Sequence, residues 1–178
     1  MSQPILFLIT IIGFSFLAWG IVVARYFWPQ LRGRSRAEAM RPLLHLHSFR
    51  FVGLSFLVPG VVSPDLPPAW AGPAAYGDLI AAILALLALV GLKSRLGTPL
   101  VWVFNVWGTT DLLYAFYQAN SIALEPGLLG AGYFIVTVFV PLLLITHGLM
   151  FRLLLSRHIA AAERTAGVRH KSNRNVGG

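Results

Sequence analysis

Long uncharged stretches alternate along this chain with short segments that hold nearly all of its Lys and Arg. The first, PILFLITIIGFSFLAWGIVVA from Pro4 to Ala24, is 21 residues without a charge. As a helix it would reach roughly 31 Å, the thickness of a bilayer core. Arg25, Tyr26, Phe27, Trp28 and Pro29 follow, supplying a cation, rings suited to head-group depth and a helix stop. After the basic loop LRGRSRAEAMR, a second span is expected over 42–62, with Pro42 in its first turn, where its missing N–H costs nothing. The segment SPDLPPAWAGPAA, dense in Pro and Gly and carrying Trp70, reads as an outer loop.

A third span is expected over 74–92, although only Leu79 to Leu92 lie between Asp78 and Lys93. Either the helix starts nearer Pro73, with Tyr76 and Asp78 in a first turn at the outer interface, or the Lys93 stem lies along lipid. After KSRLGT, a fourth span over 99–118 carries Asn105, Thr109, Thr110, Asp111 and Gln118. The loop ANSIALEPG leads to a fifth over 128–151, with Pro141 in its middle. The pattern predicts an all-α, polytopic membrane bundle of about five transmembrane helices in residues 1–151. A basic cytoplasmic tail over 152–178 follows, and its end, HKSNRNVGG, is expected to lack fixed structure.

Charge orients this bundle. Thirteen of the 14 Lys and Arg fall in Arg25–Arg41, Lys93–Arg95 and Arg152–Arg174, which alternate spans place on one side, so the N-terminus is expected outside and the C-terminus in the cytoplasm. The net charge of +8 thus reports topology and contact with anionic lipid head groups rather than nucleic-acid binding. With 57% hydrophobic and 11% charged residues and a mean hydropathy of +0.73, the chain is far more apolar than a soluble domain. It is read as integral to a membrane of the bacterial plasma (inner) membrane type, in a homo-oligomer or a larger membrane complex. The absence of cysteine excludes disulfides, Cys-ligated zinc, iron–sulfur clusters and thiol catalysis. The first run is too long, and lacks the preceding positive charge, for a secretory signal. No nucleotide-binding, metalloprotease or nucleophile-elbow pattern occurs in a fitting context, and no metal site is expected.

The candidate chemistry lies in polar residues inside spans. Arg50 is the only cation there, and burying a guanidinium in lipid costs at least about 2.5 kcal/mol, so it needs a partner. Asp111 lies at a compatible depth. Arg50, Asn105, Asp111 and His47 are the expected substrate-binding residues: Arg50 neutralises an anionic group, Asp111 balances charge or carries a proton, and Asn105 both donates and accepts. Trp107, Gly108, Asp111, Tyr114, Ala115 and Gln118 share the spacing of one helical face, and Gly108 lets another helix or a ligand approach. His47 and Arg50 share a face, whereas His45 points away from His47, so the two cannot hold one metal from a regular helix. His45 or His47 could meet His147 across helices, the arrangement a bis-imidazole haem needs. Pro59 and Pro141 each free a carbonyl, that of Ser55 and that of Thr137. Binding or transport of a small substrate or ion is the leading expectation, with no cofactor. An intramembrane enzyme or haem protein, and a scaffold or assembly subunit, are the alternatives.

Overall fold

The computed structural model describes residues 3–156, and they are helical almost throughout. Helix α1 (Gln3–Val22) passes through a π turn (Val23–Phe27) into α2 (Trp28–Leu31). Helix α3 (Arg36–Ser48) runs into a 3₁₀ segment (Phe49–Leu57). Helices α4 (Pro68–Gly91) and α5 (Gly97–Ser121) follow, then a 3₁₀ segment (Pro126–Gly132), a π turn (Ile135–Phe139) and α6 (Val140–Leu155). Three helical stretches are long and apolar enough to cross a membrane: Gln3–Leu31, Pro68–Gly91 and Ile135–Leu155. The end of the basic tail lies outside the described residues.

Local chemistry explains where the elements depart from expectation. Pro29 does not stop the first helix. A proline ring clashes with the carbonyl four residues earlier, and here a π turn ends two residues before Pro29, with the Trp28 N–H donating to the Val23 carbonyl. Pro141 repeats the device, two residues beyond the Ile135–Phe139 π turn, where Val140 N–H donates to the Ile135 carbonyl. In the second element the helix starts at Arg36 rather than Pro42. Ser35 and Glu38 form a reciprocal capping box, the Ser-x-x-Glu signature of a helix start.

From Phe49 to Leu57 the expected α-helix is replaced by a 3₁₀ segment, whose three-residue turn stacks i, i+3 and i+6. Arg50, Gly53 and Phe56 are its buried residues. The tighter winding also lengthens it: α3 spans about 20 Å and the 3₁₀ segment about 18 Å. Pro59 lies beyond the helix, and the Ser55 carbonyl it was expected to orphan accepts the Val58 N–H at 3.1 Å.

The expected outer loop before the third span is helix from Pro68 onward, and only its first part, Ser63 to Pro67, lies outside a helix. Pro68 occupies the first turn of α4, where a missing N–H is harmless. Pro73 lies inside, and the Ala69 carbonyl it leaves free accepts the Gln118 side-chain amide at 3.3 Å. Trp70 is buried, edge-on to Phe56, and donates its indole N–H to the Ala115 carbonyl at 3.0 Å. The 24 residues of α4 reach about 36 Å, which removes the apparent shortness of the third span.

Packing is layered. One core joins Met40 and Leu44 of α3, Ala85 and Ala88 of α4, Val101 and Phe104 of α5, and Met150 and Leu153 of α6. A second joins Phe56, Trp70, Ala74, Ala75 and Leu129. Small side chains on α4 let its neighbours approach closely. Helix α1 stands at the edge with Phe7, Phe14, Leu17 and Ile21 exposed, tied on by the Trp19 indole N–H donating to the Val138 carbonyl at 3.0 Å. Beyond it, Arg152 stacks 4.0 Å over the Trp28 ring.

Candidate functional site

Between the two cores lies the densest polar network among the described residues. The 3₁₀ turn places Arg50 inward with no exposed surface. Its Nε donates to Asp78 Oδ1 at 2.7 Å, and Nη2 lies 2.7 Å from that same oxygen. Nη2 donates to Asp111 Oδ2 at 2.6 Å. Nη1 donates to the Gly108 carbonyl at 3.1 Å and faces His147 Nε2 at 3.4 Å. Five contacts thus meet the five N–H groups of the guanidinium. Among the described residues these donors are all engaged within the chain.

Asp78 is the residue that sequence reasoning missed. Expected at the outer interface, it is buried at mid-helix because α4 begins at Pro68. One cation therefore faces two carboxylates. If both are ionised the network carries a net charge of −1, an excess that is costly away from water unless a further positive charge meets it.

A glycine on each of three elements makes room for these groups. A side chain at Gly53 would fall on the Asp78 carboxylate, and one at Gly77 on the Asp111 carboxylate. One at Gly108 would lie 2.6–2.7 Å from the His147 ring and Arg50 Nη1. Gly108 was expected to admit a helix or a ligand, and the groups that occupy its space are the chain's own.

The histidines form a second tier. His147 Nε2 faces a guanidinium that can only donate, so it accepts, and Nδ1–H donates to Asn105 Oδ1 at 2.7 Å. The Asn105 amide then donates to the His147 carbonyl at 3.3 Å. The Thr146 hydroxyl donates to the carbonyls of Leu142 and Leu143 and so accepts from His47 Nε2 at 3.0 Å. His45, in contrast, is exposed and bonds the Arg41 carbonyl of its own helix.

The rings of His47 and His147 are 4.2 Å apart between centroids, with Phe104 against both. A bis-imidazole haem needs the macrocycle between its two ligands, and rings in contact leave no such gap. The haem reading of His45, His47 and His147 does not fit this arrangement. On α5 the inward positions are Val101, Phe104, Asn105, Gly108 and Leu112, while Trp107 and Tyr114 of the expected face are exposed.

Beyond the carboxylates opens a cavity of about 80 Å³, with Asp78 and Asp111 among its lining residues. Its other walls, including Phe56, Trp70, Ala74, Ala115 and Phe116, are apolar.

Fold and site define a small all-helical protein, with helices apolar enough to cross a membrane, built around a buried ion-pair network. A model of the domain of unknown function DUF8737 matches residues 7–155, and the chain belongs to that family. The matched segment contains every residue of the network. No curated protein and no solved structure matches the chain.

Proposed function

We propose that this is a five-span plasma-membrane protein, N-terminus outside and C-terminus cytoplasmic, that binds or moves a small cation, the proton included, at Asp78 and Asp111. To the three apolar helices this adds α3 with its 3₁₀ extension, and α5. Their lengths of about 38 Å each exceed a bilayer core of about 30 Å. The arrangement of basic segments supports the orientation. Reporter fusions after Arg34, Pro64, Arg95 and Ala123 should read inside, outside, inside, outside, and an outside signal at Arg34 would overturn this topology.

The observation that carries the binding reading is the unequal count of charges around Arg50. Its donors are all engaged, yet one carboxylate remains in excess, and that carboxylate is what an added cation would meet. A second reading, a lock joining three helices with no ligand, is favoured by the same full engagement of Arg50. Asp111→Asn separates the two, because it leaves Arg50 and Asp78 as a balanced pair and keeps the side-chain shape.

In liposomes, the wild-type protein should respond to an imposed gradient or to added cation (proton, Na⁺, K⁺ or methylammonium), and Asp111→Asn should fold without responding. A wild-type protein inert to all four, or a variant that responds unchanged, overturns the site and leaves the lock.

A further inference from the structure

The cavity beside the carboxylates specifies more than a charge. Of the 15 residues that line it, Asp78 and Asp111 are the only ionisable ones, and both are acids. The one wall side chain with a polar hydrogen, the Trp70 indole, already donates to the Ala115 carbonyl. Each carboxylate has an oxygen, Asp78 Oδ2 and Asp111 Oδ1, that receives no hydrogen bond among the described residues and lies against a glycine, Gly53 and Gly77 respectively. The cavity therefore has acidic groups in its wall and no free donor. An anion is repelled there, and a ligand presenting only carbonyl or ether oxygens finds nothing to bond.

We infer that the cavity binds a small primary or secondary amine in its cationic form, ammonium head toward Asp78 and Asp111 and apolar body against Phe56, Trp70 and Phe116. This rests on the cation reading of the cluster and narrows it from a bare ion to an alkylammonium or arylalkylammonium compound. Two features support the class. The ammonium supplies the positive charge that one Arg against two Asp lacks, and its N–H groups are donors brought to a wall whose only ionisable groups are acids. The volume of about 80 Å³ corresponds to roughly five to eight waters, room for a body of several carbons rather than a metal ion alone.

The test uses the full chain in phosphatidylcholine nanodiscs and reads the unfolding midpoint against n-pentylammonium, n-pentanol, n-pentanoate, methylammonium and K⁺. Pentylammonium should half-saturate at a concentration at least about tenfold below that of pentanol, the equivalent of roughly 1.4 kcal/mol, and pentanoate should give no shift. Ala115→Leu, which fills the cavity without touching a charge, should weaken pentylammonium by about the same factor. The comparison of probes on the wild-type protein stands even if that variant does not fold.

Pentanol or pentanoate acting as strongly as pentylammonium overturns the inference, as does a folded Ala115→Leu protein that binds like wild type. Methylammonium or K⁺ matching pentylammonium also overturns it, because the apolar walls then contribute nothing, while the cation site itself stands. A protein that responds to none of the cations loses both readings.

Discussion

The two cores that flank the ion-pair network differ in one respect, and that difference sets how the network can be reached. On the side of the basic loops, Met40, Leu44, Ala85, Phe104, Met150 and Leu153 are all within 1% of full burial, and the paired histidines with Asn105 close the layer above them. On the other side Phe56, Trp70, Ala74 and Leu129 surround an open cavity. Helices α4 and α5 cross both layers, but α3 and α6 of the first give way in the second to the 3₁₀ segments Phe49–Leu57 and Pro126–Gly132, so the asymmetry accompanies a change of elements. A charged cluster sealed below and open above can exchange a ligand or a proton from one side. Movement through the protein would require the histidine tier to rearrange.

The comparison breaks most severely at Arg50. Arg50→Ala strands the buried Asp78 and the partly buried Asp111, and removing one member of a buried pair costs about 3 to 5 kcal/mol. The melting temperature should fall steeply, and Arg50→Ala/Asp111→Ala should be less harmful than the sum of its single changes. Additive effects would show that the residues do not interact.

Smaller changes sharpen the contrast between layers. Ala85→Leu overfills the sealed core and should cost about 1 to 3 kcal/mol, whereas Ala115→Leu enters the cavity and should leave the melting temperature unchanged or raised. Equal losses in both would mean that the two layers are packed alike. Along α4, Gly77→Ala drives a methyl into the Asp111 carboxylate and should also cost about 1 to 3 kcal/mol. On α6, Gly148, exposed and with nothing within 4 Å, should accept Ala with a gain of about 0.5 to 1 kcal/mol.

An effect of similar small size lies at the helix start outside both layers. Ser35→Ala should cost about 1 kcal/mol through the lost cap. Hydrogen bonds from Ser35, its side chain foremost, hold the Glu38 carboxyl below its ordinary range. The share of the cap carried by the Glu38 carboxylate is therefore complete above that range and is lost as pH falls through the lowered value, while the bond from the Glu38 N–H to Ser35 Oγ persists. The difference in melting temperature between wild type and Ser35→Ala should shrink in acid, and a difference independent of pH would remove Glu38 from the cap.

Helical class, the apolar stretches and the need of Arg50 for a carboxylate were legible in the sequence, because each depends on residues close in the chain or on composition. The capping box at Ser35 and Glu38 was legible too, had it been weighed against Pro42. Asp78 was not, since its depth depends on where α4 begins. A stretch with four prolines between Pro64 and Pro73 reads as loop until Gln118 supplies the hydrogen bond that Pro73 removes. The 3₁₀ winding that turns Arg50, Gly53 and Phe56 to one side was equally hidden, because local preference does not separate it from an α-helix there. The sequence by itself thus determined that charges would have to be buried among helices. Only the tertiary structure decided that two carboxylates rather than one meet Arg50, that glycines of three elements make the room, and that the cavity bordered by both carboxylates lies on the side away from the basic loops. Those outcomes depend on distances between side chains far apart in the chain, which no spacing along it can encode.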